Sequence, residues 1–224
     1  MGQVYPGIPT PLVRALVEGL HLGVAVETGT HLGESASALS EMVEHVWTIE
    51  LSPGYVQRAR ARHGGNRAIT FLEGDSAAVL AGLAPRIDRP ALYWLDAHWC
   101  AGDSAGYETQ CPLLGEIDAL DGSPAAAQSA IVIDDASFFL ACPYPEYRRS
   151  DWPTFLEVVD RLRAHHPRFV TTLLDVIIAT PPEGRAVVER FWEAKLAADL
   201  EEGRRRAELA GEALRAQAVP RGEP

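Results

Sequence analysis

Five short apolar segments, each running into an acidic residue, with stretches of helical spacing between them, constrain this chain more than any other feature. GVAVE (23–27), HVWTIEL (45–51), AITFLEG (68–74), ALYWLDA (91–97) and AIVIDDA (130–136) are rich in apolar, β-branched and aromatic residues, as buried strands are. Between them lie ESASALSEMVE (34–44), GYVQRARARH (54–63), DSAAVLAGLA (75–84) and PLLGEIDAL (112–120). Strand and helix in alternation imply right-handed crossovers, hence a parallel sheet covered by helices on both faces.

Beyond a helix expected over TFLEVVDRLRAHH (154–166), RFVTTLL (168–174) and DVIIATP (175–181) follow one another with almost no connection. Such a pair must be antiparallel, because a parallel pair needs a crossover. The expected fold is therefore α/β, a Rossmann-like doubly wound sheet of seven strands, five parallel plus a C-terminal antiparallel hairpin. Residues 1–182, with a helix over 10–22, form one domain in this reading. Residues 183–218 form a long helical extension, with Val187, Val188, Phe191, Leu196 and Leu200 at helical intervals, and 219–224 a tail.

The formal net charge of −11 argues against a nucleic-acid or anionic-membrane partner and favours small-molecule or oligosaccharide substrates. No apolar run reaches membrane-spanning length. The three cysteines, Cys100, Cys111 and Cys142, have no CxxC spacing, which suits a cytoplasmic setting without disulfides or structural zinc. The later part of the C-terminal helix is too polar to lie inside a monomer, so a homodimer through that helix is expected.

VETGTHLGES (26–35) ends the first strand and opens a helix, with glycines where a backbone turns sharply under a ligand. A dinucleotide fingerprint would require glycine where Glu27 stands, and Gly33 falls one residue beyond the third glycine. A pyrophosphate would face the Glu27 carboxylate. S-adenosylmethionine has no phosphate and carries an ammonium and a sulfonium, so the same acid favours it. Glu50, about 20 residues downstream, is placed to take ribose hydroxyls. Asp75 and Ser76 either cap the next helix or face an adenine edge.

The fourth and fifth strands end in YWLDAHW (93–99) and IVIDDA (131–136), collecting Asp96, Asp134 and Asp135 at adjacent strand ends. Three gathered carboxylates repel unless a cation neutralises them, and an all-oxygen set suits Mg²⁺ or another hard divalent cation. The alternative is that one or more merely caps a helix. A metal there would lower the pKa of a substrate hydroxyl and position its oxygen. His98 has the chemistry of a general base, with a structural role or a further ligand as its alternatives. WCAGDSAGYETQCP (99–112) reads as a lid or substrate loop. SFFLACPYPEYRR (137–149) reads as a proline-broken loop that covers either a sugar or phenol acceptor or the cofactor. Glu108 and Glu116 are expected mainly at solvated positions, with addition to the metal or a hydrogen bond to the acceptor as the alternative.

ETGTHLGES, TIELS, EGDS, LDAHW and VIDDA resemble the successive strand-end motifs of class I S-adenosylmethionine-dependent methyltransferases, over about residues 23–140, and the closing hairpin extends the match to about 181. Asp96 with Asp134 and Asp135 is similar to the metal site of catechol-type and macrocin-type O-methyltransferases, and WLDAHW followed by CPLLGEI looks closer to the macrocin type. The resemblance implies a Mg²⁺-dependent O-methyltransferase. It also implies cofactor contacts at Glu27, Gly29, Glu50, Asp75 and Ser76, with Thr28, Gly33, Ser35 and Asp96 beside them. No lysine precedes Lys195, so the lysine of the catechol branch has no counterpart near the site. The rivals are a phenol O-methyltransferase, a nicotinamide oxidoreductase or epimerase, and a non-catalytic binding module.

Overall fold

A computed structural model describes residues 7–99, 105–140 and 146–217, with side chains to residue 210. Cys100, Cys142, parts of the two expected loops and the tail at 219–224 lie outside the described residues.

The strands are β1 (Val24–Thr28), β2 (His45–Glu50), β3 (Ile69–Glu73), β4 (Ala91–Leu95), β5 (Ala130–Ile133), β6 (Phe169–Leu173) and β7 (Val176–Thr180). They form one seven-stranded sheet in the order β3-β2-β1-β4-β5-β7-β6. The first five pair in parallel, and β7 runs antiparallel to both β5 and β6. This is the doubly wound sheet with a closing hairpin that the alternation of segments predicts. The β6–β7 turn has Leu174 and Asp175 both in the left-handed region, which matches the twist of a two-residue hairpin.

Helices α1 (Thr10–Leu20), α2 (Glu34–Ser40), α3 (Pro53–His63), α4 (Ser76–Leu83), α5 (Leu113–Leu120), α6 (Ala136–Leu140), α7 (Phe155–Leu162) and α8 (Arg185–Gln217) complete the chain. Along each central strand successive side chains enter opposite cores, so the strands are apolar throughout rather than alternating. Val26, Tyr93, Leu95, Ile131 and Ile177 pack with α4, α5 and α7. Ala25, Leu92, Trp94, Val132 and Ile178 pack with α1, α2 and α8.

Several boundaries differ from expectation. Helices are shorter than expected, α2 and α7 most of all: α2 stops at Ser40, because the Glu44 N–H must reach the Gly23 carbonyl to begin β2, and α7 stops at Leu162, while α1 stops at Leu20. The loop expected from Ser137 begins instead as α6, directly after Asp135. The first turns of α8 belong to the main core: Val187 and Val188 are buried there, and Gly19 of α1 leaves room for Val187. From Leu196 to Ala210 every residue of α8 is exposed.

Candidate active site

The parallel register sets Thr28 beside both Ile49 and Leu95, so the segments that leave β1, β2 and β4 emerge at one sheet edge. There the Gly29 N–H donates to the Ile49 carbonyl at 2.9 Å. Gly29 has φ +84°, and a Cβ on it would collide with the Asp96 carbonyl oxygen. Only glycine meets both the conformation and the close approach. Glu50 braces the loop from below: Oε2 accepts the His31 N–H and Oε1 the Ser52 N–H, each at 2.8 Å.

Above this edge lies a cleft of about 370 Å³. Among the residues nominated from sequence, Gly29, Glu50, Asp75, Ser76, Asp96 and His98 line it. Asp75 does two things at once, since its Oδ1 also caps α4 by accepting the Ala78 N–H. Glu27, Thr28, Gly33 and Ser35 are not among the lining residues. Glu27 is wholly buried, accepts a hydrogen bond from the Thr48 hydroxyl, and leaves Oε1 without a partner. Burial drives its carboxyl up to about 8, against the opposing hydrogen bond from Thr48. Sequence reasoning passed over His31, whose ring packs on Tyr55 with centroids 4.4 Å apart; both line the cleft. The signal was a polar ring inside a glycine-rich turn, at φ +47°, where a bulky residue is uncommon.

The acidic end of the site is built around His98. Its Nε2 meets Asp135 Oδ2 at 2.9 Å and its Nδ1 lies 3.6 Å from Asp96 Oδ1. The ring also lies against Trp152, centroids 5.4 Å apart. Burial alone would lower the His98 pKa, but the Asp135 hydrogen bond and the charges of Asp96, Asp135 and Asp134 outweigh it and hold the pKa at about 9. Asp96 is raised to about 6 by burial, with the His98 charge pulling it back, and Asp134 to about 8 by burial and its acidic neighbours. Asp134 turns inward and accepts the Asp135 N–H at 2.9 Å. Asp135 itself has φ +52°. The hairpin turn holds it there: the Asp175 carbonyl accepts the Ala136 N–H at 2.7 Å, and the Asp175 carboxylate takes both the N–H and the hydroxyl of Ser137.

As arranged, the three aspartates do not form a ready ligand set for a hard divalent cation. Among the described residues no group of three or more His, Cys, Asp or Glu is disposed to hold a metal ion. The imidazole of His98 sits between two of the three carboxylates, and their charge is met by a ring that gains a proton readily.

Glu116, expected in solvent, is buried instead; burial raises its carboxyl to about 7, with hydrogen bonds to Ser76 and Thr28 opposing. Glu108 is exposed in the loop over the cleft. Gln110, singled out by no motif, is fully buried; its Oε1 accepts the Arg148 N–H at 2.7 Å and the Trp152 indole N–H at 3.3 Å. Arg148 in turn donates to the carbonyls of Tyr107 and Glu108 and to Asp151. Trp99, Phe138, Tyr147 and Trp152 pack as an aromatic cluster beside His98.

Among the described residues no helix is long and apolar enough to cross a membrane. No family model matches the chain, and no curated protein matches it in sequence. Its fold is similar to several solved structures. An O-methyltransferase from Bacillus cereus in complex with S-adenosylhomocysteine aligns with TM-score 0.54 and 14% identity, covering 78% of this chain and 80% of that one. The O-methyltransferase TomG from Streptomyces achromogenes, in complex with S-adenosylmethionine and involved in tomaymycin synthesis, aligns with TM-score 0.51 and 14% identity over 79% and 80%. The Podospora anserina methyltransferase PaMTH1, bound to S-adenosylhomocysteine, aligns with TM-score 0.51 and 16% identity over 78% and 88%. The chain therefore has the class I S-adenosylmethionine-dependent methyltransferase fold.

Proposed function

We propose that this chain transfers a methyl group from S-adenosylmethionine to a hydroxyl oxygen of a small molecule, a sugar or oligosaccharide ahead of a phenol. The observation that carries the reading is the composition of the cleft. It lies over the ends of β1, β2 and β4, offers Glu50, Asp75, Asp96 and Glu108, and has no Lys or Arg among its described lining residues. Such a wall disfavours a dinucleotide pyrophosphate and favours a ligand with an ammonium and a sulfonium. Glu50 would take the ribose hydroxyls, Asp75 and Ser76 the adenine edge, and the Gly29 turn the amino-acid end. When bound, the cofactor supplies an electrophilic methyl carbon.

Methyl transfer to oxygen is an in-line displacement: the C–O bond forms as the sulfur–methyl bond breaks, S-adenosylhomocysteine leaves and the acceptor hydroxyl loses its proton, so the site must align the oxygen and receive that proton. Asp96 and His98 both line the cleft, but the Asp96 side chain is 30% exposed and that of His98 only 6%. Asp96 is the accessible acceptor of the proton, and the His98 ring, held by Asp135, stabilises the carboxylate and fixes its direction. This moves the base role from His98 to its carboxylate partner. The aromatic cluster around Trp152 and Phe138 lies outside the cleft lining and packs against the His98 ring, helping to hold it in place.

A second reading keeps a divalent cation at Asp96, Asp134 and Asp135, favoured by the gathering of three carboxylates at two strand ends. It requires the His98 ring to leave Asp135. One experiment addresses both readings: pure protein with methyl-labelled cofactor and a panel of sugars, oligosaccharides and phenols, with and without EDTA. Label transfer that survives EDTA supports the Asp96–His98 reading. Loss restored by Mg²⁺ supports the cation, and transfer to no hydroxyl compound despite cofactor binding overturns O-methylation.

A further inference from the structure

We propose that the outer half of α8 is a self-complementary pairing face, occupied by the same helix of a second copy running antiparallel, with the two-fold axis at Gly203. The inference rests on the helix alone and stands or falls independently of methyl transfer.

Only the start of α8 packs on the domain, and Leu196 to Ala210 is exposed all round. An isolated helix of about 12–15 residues is marginal in water, so four turns projecting without tertiary contact call for a partner. The projecting surface is not uniformly polar. Trp192, Leu196, Leu200, Gly203, Ala207 and Ala210 recur at steps of four and three, which keeps them on one stripe spanning roughly 80° at about 100° per residue. Trp192, Leu196 and Leu200 are 41%, 45% and 58% exposed, and a side chain added at Gly203 would meet nothing within 4 Å.

The order of sizes along this stripe selects the partner. Large residues occupy its first half and small ones its second. In an antiparallel pair centred on Gly203, residues equally far before and after the axis face each other. Leu196 then meets the partner's Ala210, Leu200 meets the step between the partner's Gly203 and the partner's Ala207, and the same contacts repeat across the axis. Large fills small twice, as an isologous interface requires.

Charge selects the same direction. Glu193, Asp199, Glu201 and Glu202 precede the axis with one base, Lys195, among them, whereas Arg204, Arg205 and Arg206 follow it with one acid, Glu208, beyond them. Asp199 and Arg206 flank the same edge of the stripe, and in antiparallel pairs like edges meet. Asp199 therefore faces the partner's Arg206, and Arg206 the partner's Asp199. A parallel pair in register would oppose each arginine run to its own copy. Within one chain Arg206 lies on Glu202 and Lys195 on Asp199, exposed pairs one turn apart that rearrange at little cost. The twelve helical steps from Phe191 to Gly203, at about 1.5 Å each, hold the two globular parts roughly 36 Å apart along the pair, so they clear one another.

The test is the mass of the full chain by light scattering and sedimentation across a concentration series, followed by three variants. A single face of a four-turn helix is a small interface, so a concentration-dependent dimer is expected. Leu200→Glu, at an exposed position, should raise the dimer dissociation constant at least tenfold with unchanged helicity. Asp199→Arg and Arg206→Asp should each weaken the dimer, and the combined exchange should restore it. Gly203→Cys should form an oxidised dimer above the wild-type background, and Leu196→Cys should not. A one-chain mass at every concentration overturns the proposal, as does a dimer indifferent to Leu200→Glu. Equal cross-linking at both cysteine positions overturns the antiparallel arrangement, and capture of monomers by anionic vesicles would assign the face to a membrane instead.

Discussion

The two halves of the cleft are built by different means. On the β1–β2 side the chain is held by its own backbone: Gly29 and Thr30 donate to the Ile49 carbonyl, and both Glu50 oxygens take main-chain N–H groups. On the β4–β5 side the walls are loops joined by side chains, with buried Gln110 and the Arg148 guanidinium tying residues 107–110 to 146–152 over an aromatic pile. Strand-anchored backbone gives one geometry and tolerates little. Side-chain ties between loops open locally and are easily re-specified by substitution. A cofactor common to many enzymes suits the first kind of wall, and an acceptor particular to one suits the second.

The contrast can be broken first at Gly29. Alanine there meets the Asp96 carbonyl and a positive φ together, and should cost about 2–4 kcal/mol of stability along with nearly all cofactor affinity, read by urea unfolding and calorimetry. A variant that binds cofactor normally would mean that the backbone wall is softer than its contacts imply. Next in size is Asp96→Asn, which keeps the shape and removes the proton acceptor. Label transfer should fall roughly 10²–10⁴-fold, with cofactor affinity within about tenfold of the parent.

The pH profile sharpens the same point. A base must be unprotonated, so with Asp96 as acceptor kcat/KM should rise tenfold per pH unit up to about 6 and then level. If His98 takes the proton, the rise should continue to about 9. The smallest effect is expected on the loop side. Gln110→Ala removes the three hydrogen bonds of a buried side chain, to Arg148, Trp152 and Glu146, at a cost of about 1–3 kcal/mol, raising the acceptor KM while cofactor affinity stays put. Equal losses for both ligands would erase the distinction between the walls.

The same division governs what could be read from the chain before folding. Strand number, hairpin and the edge that gathers Gly29, Glu50, Asp75 and Asp96 follow from local patterns, because each strand end carries its residue to a place the topology dictates. Glu116 was misjudged because a carboxylate in sequence carries no mark of burial; it lies buried beside Ser76 and Thr28, as Glu27 lies buried beside Thr48. Asp96, Asp134 and Asp135 suggested a metal from their proximity. How close His98 comes to Asp135 depends on a left-handed residue and a hairpin turn 40 positions later, which no local motif encodes. Gln110 was invisible because its importance lies wholly in partners distant in sequence.

The contact between Gly29 and the Asp96 carbonyl has one more consequence. On the proposed reading it joins the turn beneath the methyl donor to the residue that takes the proton, backbone against backbone, with no side chain between them. The spacing from donor to base is then a fixed dimension of the sheet, like the gap of a machined jig. Loop motion over the cleft can deliver or release an acceptor, but it has no slack with which to retune that distance, and selection for new acceptors would have to act on the loops alone.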